Sequence, residues 1–504
     1  MTVSDLTHSS IDPVSPKINW ARIDEADNFA ETVKLYRQGK YDEDSFRRFR
    51  LQHGAYGTRM TSDYAMVRVK LPAGEIYPKQ FEKLSQLSEQ YSIGSAHFST
   101  RENIQLHWVI LEDVSEIFRS LAEVGLTSRE ACGNSVRNVM CSPLSGVCCD
   151  EKFDSTPYAL ATAKFFLRNP MAQSLPRKFK FNFTCCEKHG MVRMVDVGLI
   201  PEIQQIDGSE QKGFKIFLGG GLGNKSFVGH QLEDFTPEDD LLYTSIAVVR
   251  IFDRLGDRKN LARNRMRYLV NDMGWEKFQN LVLKERAIVR ATQSVVTRLR
   301  VNTAPDQIKR PLKITDESGN SAPDGYARWL KTNTVKQKQP EYHSVFITLE
   351  AGDITSNQLN ALSELIREFS SEGKARTGFV QNVALRYVHE DDLIPLYSKL
   401  LQSGLAKSGA LTMTTPVGCS GTTSCNLALT NSHRLAKEIQ RKFLELKLDE
   451  DDDLTNSSIK ISGCPNSCGQ HGIATIGFFG GGGRVGKDMY PNYQMSLGGR
   501  YDGD

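Results

Sequence analysis

The sequence predicts an α+β protein built from two similar halves in tandem. A segment with a strand-helix-strand-helix pattern occurs twice, and each copy is followed by a second repeated segment. The residues from Val67 to Ile76 reappear as Val345 to Ile354, and Gly125-Leu126 reappears as Gly404-Leu405. The offset between these copies stays at 278 or 279 residues, which indicates an internal repeat rather than chance similarity.

The elements of the first copy follow from its hydrophobic periodicity. Alternating apolar and polar residues predict strands near 65–71 and 104–110. Apolar residues at helical spacing predict helices near 78–91 and 113–124. This order implies a small helix-on-sheet unit that the chain uses twice.

The second repeated segment is recognised by short matches, such as Cys186-Glu187-Lys188-His189-Gly190 against Cys468-Gly469-Gln470-His471-Gly472. We therefore predict six segments: an N-terminal arm (1–50), a first small unit (51–130), a first lobe (131–300), a linker (301–340), a second small unit (341–408) and a second lobe (409–504). The first lobe continues through helical patterns after its repeated strand, whereas the second lobe does not. We expect the natural chain to extend past Asp504 and, without that extension, one edge of the second lobe to be open and apolar.

Composition limits the classes of function. The 504 residues are 39% hydrophobic and 24% charged, and 63 basic residues nearly balance 60 acidic ones. This balance argues against a nucleic-acid-binding protein. No apolar run is long enough to span a bilayer, and the N-terminus lacks the pattern of a secretory signal. We expect a cytoplasmic protein without membrane or nucleic-acid partners, with a plastid location left open.

Ten cysteines are unevenly distributed, and four of them form two pairs in Gly/Ser/Thr-rich stretches: Cys419 with Cys425, and Cys464 with Cys468. Four thiolates are what an iron–sulfur cluster or a structural zinc ion requires. Zinc ribbons usually use two C-x2-C pairs, so the spacing favours a cluster; zinc and inert thiols remain the alternatives. We interpret the first-half cysteines, including the adjacent Cys148 and Cys149, as small buried hydrophobic side chains.

The paired cysteine motif, together with the two-fold repeat, resembles the signature of the sirohaem-dependent sulfite and nitrite reductases, from about Tyr56 onward. The resemblance implies two pseudo-symmetric halves, each a small ferredoxin-like unit followed by a larger α/β lobe that binds sirohaem or the cluster. It also implies that Cys419, Cys425, Cys464 and Cys468 hold a [4Fe–4S] cluster and that Cys468 bridges to the sirohaem iron.

Three basic motifs match the same family and imply an anion pocket on the open side of the sirohaem. The catalytic cations that they supply are Arg101, Arg137, Lys178 and Lys180. Glu102 departs from the family pattern, where glutamine is common. The residues expected to contact the cofactor, besides Cys468, are His107, Asn138, Arg258, Lys259, Arg263 and Asn466.

The resemblance implies a monomeric or weakly associating enzyme that reduces sulfite to sulfide with six electrons. Nitrite reduction to ammonia is the alternative. Because no flavin or NAD(P)H motif is recognisable, we expect electrons from a separate ferredoxin or flavoprotein. A different class of hypothesis is a catalytically inactive sirohaem-binding subunit.

Overall fold

A computed structural model describes residues 16, 18–59, 61, 63–292, 301, 308–311, 322–454 and 457–500 of the chain. Parts of the predicted N-terminal arm and of the predicted linker, at 1–15, 302–307 and 312–321, lie outside these residues. The protein is an α+β chain of two tandem halves, as predicted. None of the described helices combines the length and the apolar character that crossing a membrane requires.

The first small unit has two N-terminal helices in front of the predicted pattern. Its elements are α1 (Asp24–Arg37), α2 (Glu43–Gln52), β1 (Ala55–Gly57), β2 (Tyr64–Lys70), β3 (Glu75–Ile76), α3 (Pro78–Tyr91), β4 (Ser95–Phe98), β5 (Asn103–Ile110) and α4 (Val114–Glu123). The four predicted elements are confirmed within about one residue at each end. Helix α3 begins where the sequence indicates, because Pro78 occupies its first turn and Tyr77 and Gln80 form a capping box.

The first lobe is a mixed sheet covered by helices. Its elements are β6 (Met140–Cys141), α5 (Thr156–Phe166), β7 (Phe181–Phe183), β8 (Val197–Ile206), β9 (Ser209–Leu218), β10 (His230–Gln231), β11 (Thr236–Pro237), α6 (Leu241–Leu255), α7 (Met266–Met273) and α8 (Trp275–Thr292). Strands β6, β7 and β8 are parallel neighbours, and β9 pairs antiparallel with β8. One buried cluster joins the sheet to the helices, since it contains Phe214 and Ile216 of β9 as well as Val248 of α6.

The second half repeats this order. Its elements are α9 (Tyr326–Asn333), β12 (Thr334–Lys336), β13 (Tyr342–Ile347), β14 (Asp353–Thr355), α10 (Ser356–Phe369), β15 (Ala375–Thr377), β16 (Val383–His389), α11 (Leu393–Gln402), β17 (Val417–Gly418), α12 (Ser432–Glu445), β18 (Ile459–Ser462), β19 (Ile476–Val485) and β20 (Asp488–Leu497). Strands β17, β18 and β19 are parallel and β20 is antiparallel, which matches β6 to β9 of the first lobe. On β20, Met489, Met495 and Leu497 are 60–68% exposed, so this edge strand presents an apolar surface.

The two small units exchange short strands. Strand β14 of the second half pairs with β4, and β3 of the first half pairs with β15. Helices α3 and α10 pack against each other, and one hydrophobic core runs through both units. The left-handed backbone at Gly74 and Gly352, equivalent positions of the repeat, turns the chain into each exchanged strand. The exchange fixes the two halves against each other and so positions the loops described next.

Candidate active site

The two cysteine pairs lie on loops at one edge of the second-lobe sheet. Cys419 directly follows β17, and Cys464 lies two residues after β18. Strands β17 and β18 are parallel neighbours in the sheet. The carboxyl ends of parallel strands meet at the same sheet edge, so this topology brings the pairs together. The Gly463 amide donates to Cys419 Sγ at 3.2 Å, which links the two loops directly.

The four thiols share one electrostatic environment. Burial and the neighbouring Cys468 raise the pKa of Cys419 to about 11. Burial raises the pKa of Cys464 as well, and Cys468 and Cys425 add to the shift. Amides also point at sulfur, since Leu427 N–H donates to Cys425 Sγ at 3.4 Å. Thiols held close together in this way need a cationic centre to stay ionised.

The donor set fits an iron–sulfur cluster better than a single zinc ion. Two sulfurs on one zinc ion lie at most about 4.6 Å apart, twice the Zn–S bond length. Among the described residues, the groups of three or more ligand atoms within 4.8 Å of one another do not include these four cysteines. Thiolates with amide donors and wider spacing are typical of iron–sulfur sites.

The four predicted catalytic cations come from three segments and lie close enough for their charges to interact, in a cluster that we call the recess. Arg101 is on the turn between β4 and β5, Arg137 is paired through its backbone with Phe179, and Lys178 and Lys180 precede β7. Burial and the charges of Arg265 and Arg137 lower the pKa of Lys178 to about 7, against the opposing effect of Cys468. Lys178 therefore lies near the cysteine loops, and the binding of an anion by these four cations stays a prediction.

Positive charge in this recess is only partly compensated, because the charge of Asp196 acts on Lys180, and those of Glu102 and Asp196 act on Arg101, without a direct ion pair. Burial, followed by the charges of Arg101, Arg265 and Lys178, lowers the pKa of Lys180 well below its usual value. Within the described ranges, no carboxylate lies within 4.0 Å of a charged nitrogen of the four predicted cations. Arg101 Nη1 is buried without a hydrogen-bond partner. A buried, unpartnered guanidinium nitrogen fits a site for an anion or for the carboxylates of a macrocycle.

Hydrogen bonds with backbone carbonyls hold Arg137 and Arg101 in place. Arg137 donates to the carbonyls of Gly133 and Ala131 at 2.7–2.9 Å. Asn138 Nδ2 donates to Glu102 O at 3.0 Å and Arg101 O at 3.2 Å, and Arg101 Nη2 donates to Asn138 O at 2.9 Å. Asn138, predicted as a cofactor contact, thus clamps the turn that carries Arg101.

Arg265 belongs to this cluster and was missed by the sequence analysis. It is buried and pairs with Asp196 at 2.8 Å. Its charge lowers the pKa of both Lys178 and Lys180. The signal that could have found it is its position two residues after the predicted Arg263, at the entrance to α7.

Four of the other predicted cofactor contacts, Arg258, Lys259, Arg263 and Asn466, are on the surface. Arg258 and Arg263 are exposed and pair with Asp253 at 2.6 Å and Asp272 at 2.7 Å, and Lys259 and Asn466 are exposed too. Their contact with a cofactor stays a prediction.

His107 lies on β5, half-buried, with its ring 5.9 Å from that of His97. His97 and His433 flank Asp353 at 3.0 and 2.8 Å. Burial and the neighbouring His97 lower the pKa of His107 to about 3. The neighbours of His107 are therefore this histidine–aspartate group and not Lys178 and Lys180.

Glu102 lies close enough to Arg101 for their charges to interact, but its carboxyl bonds to a backbone amide instead of forming an ion pair with that arginine. It is fully buried, its backbone is left-handed at φ 52°, and its Oε2 accepts from the Cys141 amide at 3.1 Å. Burial raises the pKa of this carboxyl well above its usual value. A protonated carboxyl has nearly the shape of the glutamine amide, which accounts for the departure from the family pattern.

Glu102→Gln is therefore expected to preserve activity and to raise stability at alkaline pH. A carboxyl whose pKa is raised by folding stabilises the protein below its unfolded pKa and loses that contribution as pH rises. The thermal midpoint of the wild type should fall relative to the variant between pH 5 and pH 8. Equal midpoints at every pH would show that Glu102 stays ionised.

Comparisons with known proteins agree with the order of the domains and with the fold. A family model described as the nitrite and sulphite reductase 4Fe-4S domain matches residues 132–289. A second, the nitrite/sulfite reductase ferredoxin-like half domain, matches residues 57–124 and 335–403. Together they cover more than half of the chain.

Curated relatives include reductases of both anions. Sulfite reductase [ferredoxin] 1 of Mycolicibacterium paratuberculosis is 28% identical over 429 residues, 84% of this chain and 71% of that protein. The assimilatory ferredoxin-dependent nitrite reductase of Haloferax mediterranei is 28% identical over 449 residues, 86% of this chain and 74% of that protein. The solved structure of the Mycobacterium tuberculosis NirA protein has the same fold, with a TM-score of 0.74 at 23% identity, covering 94% of this chain and 87% of that one.

Proposed function

Since this chain belongs to the sirohaem-dependent nitrite and sulfite reductase family, we propose that it reduces sulfite to sulfide in the recess that contains Lys178 and Lys180. The observation that carries the proposal is the placement near Cys468 of two lysines and two arginines, none of which forms an ion pair with a carboxylate among the described residues. Sulfite is a small oxyanion of up to two negative charges, and such a recess compensates its charge from several sides.

The cofactors of this family are sirohaem and a [4Fe–4S] cluster, and the site residues fit both. Cys419, Cys425, Cys464 and Cys468 would hold the cluster, while the unpartnered Arg101 Nη1 suits an anionic group in the recess. When bound, these groups supply the electrons and the iron atom at which the anion is reduced. The protein's own contribution is to bind, orient and protonate the anion.

Arg137 and Lys178 have different tasks in this proposal. Arg137 has its three guanidinium nitrogens bonded to backbone carbonyls, so its orientation is set before the anion binds. Lys178, with a pKa of about 7, can give up a proton and regain it near neutral pH. An anion in the recess raises that pKa, so Lys178 is protonated when substrate arrives.

Nitrite reduction to ammonia is the second candidate, because the relatives at 28% identity include a nitrite reductase as well as a sulfite reductase. Electrons would come from a separate donor. The two relatives are named as ferredoxin enzymes, which supports ferredoxin over a flavoprotein.

The test is the visible spectrum of the purified protein, followed by anaerobic turnover with a reduced viologen dye as donor. Sirohaem absorption with sulfite-dependent oxidation of the dye is the expected result. A colourless protein, or a coloured one that reduces neither anion, would instead support the inactive-subunit hypothesis.

Lys180→Asn is expected to shift the ratio of kcat/KM values toward nitrite. The variant removes one positive charge from the recess, and nitrite has less charge and fewer oxygens to compensate than sulfite. Selectivity reflects the difference in transition-state binding, so losing a charge-assisted contact of about 1.5–3 kcal/mol corresponds to roughly a 10- to 150-fold change. A wild type that prefers nitrite, or an unchanged ratio, would contradict the sulfite assignment.

A further inference from the structure

The first lobe holds a second group of metal-ligand side chains, separate from the two cysteine pairs. Cys148, Cys185 and Cys186 are buried and His189 is half-buried. The Cys148 and Cys186 sulfurs are 3.9 Å apart, and those of Cys185 and Cys186 are 4.0 Å apart. The Nδ1 atom of His189 lies 3.1 Å from Cys186, 3.6 Å from Cys185 and 3.8 Å from Cys148. All four ligand atoms lie within 4.8 Å of one another.

These distances match the edges of one coordination tetrahedron. With Zn–S bonds of about 2.3 Å and Zn–N bonds of about 2.0–2.1 Å, tetrahedral angles place sulfurs about 3.8 Å apart and nitrogen about 3.6 Å from sulfur. Of the five distances given above, four lie within a few tenths of an ångström of these values. The fifth, from His189 to Cys186, is about half an ångström short.

The fold explains why the four ligands meet. Cys148 lies on the loop after β6, and the other three lie on the turn after β7. Since β6 and β7 are parallel neighbours, both loops leave the same edge of the sheet. The group is the first-lobe counterpart of the candidate active site, because Cys186 and His189 are the repeat equivalents of Cys468 and His471.

We propose that Cys148, Cys185, Cys186 and His189 bind one Zn²⁺ ion in a closed, tetrahedral, structural site. Three thiolates and one imidazole are a ligand set that zinc takes in structural sites. All four positions are filled by protein, which leaves none for a substrate.

The site joins the two halves of the protein. Its cysteines pack in one buried cluster with Phe346 and Ala384 of the second small unit. Close by, Lys338 N–H donates to Val147 O at 2.9 Å, and the Lys338 ammonium pairs with Glu151 at 2.7 Å. A zinc ion here would hold the loops of the first lobe in the conformation that the second half packs against.

A disulfide explains the group less well. Cys148 and Cys186 are close enough to pair after a small movement, but such a bond leaves both Cys185 and the orientation of His189 toward all three sulfurs unexplained. An iron–sulfur cluster needs wider spacing than sulfurs about 4 Å apart provide.

The proposal is tested by measuring zinc and iron per chain in the holoenzyme. The protein is purified anaerobically and passed over a chelating resin before the measurement. We expect about one zinc per chain in the wild type. Cys148→Ser and His189→Ala should lower zinc at least fivefold while iron and sirohaem per chain stay unchanged. Cys149→Ser is the matched control: it changes the adjacent cysteine, which is exposed and outside the group, and should keep its zinc.

Each other result overturns the proposal: no zinc in the wild type, a Cys148–Cys186 disulfide in its mass spectrum, zinc retained by both variants, or iron lost from Cys148→Ser. If the variants fail to fold, wild-type protein can be titrated with an organomercurial reagent. Zinc should then appear with a chromogenic chelator in step with thiol modification, and modification without zinc release would also refute the site. None of these readouts depends on turnover, so they stand apart from the proposed reaction.

Discussion

Cys468→Ser should bring the turnover of sulfite and of nitrite below detection. Cys468 is the exposed member of the four paired cysteines, and its thiol lies close enough to Lys178 to shift the pKa of that lysine. Serine keeps the size of the side chain but supplies neither a thiolate ligand nor its charge. Turnover, iron per chain and the visible spectrum should be measured on the same preparation.

Cys186→Ser is the control for this variant, because Cys186 occupies the equivalent position of the repeat. It should keep the iron and the visible spectrum of the wild type. Loss of the iron–sulfur signal from Cys186→Ser would mean that the cluster had been assigned to the wrong half. Wild-type turnover by Cys468→Ser would show that Cys468 is not part of the active site.

Lys178→Gln should lower kcat by about 10²–10⁴-fold, the usual contribution of a positioned acid or base. In the wild type, kcat/KM should fall as pH rises through about 7, because the free enzyme then loses the proton on Lys178. The fall in kcat should come at higher pH, since the bound anion raises the pKa of Lys178. Both effects should be absent from the variant.

Lys152→Gln is the matched control, because this lysine belongs to the same lobe but is exposed. It should have the wild-type rate and pH profile. If Lys178→Gln keeps the wild-type kcat or the alkaline fall in kcat/KM, another group supplies the proton, and Lys180 becomes the next candidate.

Much of the first small unit could be predicted because its elements are periodic and long. Helix α3 buries its apolar face, and the alternating apolar residues of strand β5, Ile104 and Leu106, are buried, so hydrophobic spacing reports these elements directly. The exchanged strands β3 and β14 could not be found in this way. They are two and three residues long, and their partners lie in the other half of the chain.

The first-half cysteines show where interpretation from the sequence failed. Cys149, expected to be buried, is exposed. Cys132 and Cys141 are buried as predicted, and burial raises the pKa of both thiols. Cys148 is buried too, but it lies with two other cysteines and His189 in a group that could hold a metal ion. Spacing along the chain hid this group because Cys148 is 37 residues from Cys185.

The sequence by itself determined the repeat, the order of elements, the paired cysteines and the three segments that carry the four predicted catalytic cations. Only the tertiary structure decided which charges meet there: it placed Arg265 beside the lysines, left Arg258 and Arg263 exposed, and bonded the Glu102 carboxyl to the Cys141 amide. The physical reason is that periodicity encodes which face of an element is buried, whereas a site is built where loop ends coincide. In this protein the loop ends coincide because neighbouring parallel strands end at the same edge of a sheet. Which strands are neighbours depends on the strand order of the sheet and not on the local sequence pattern.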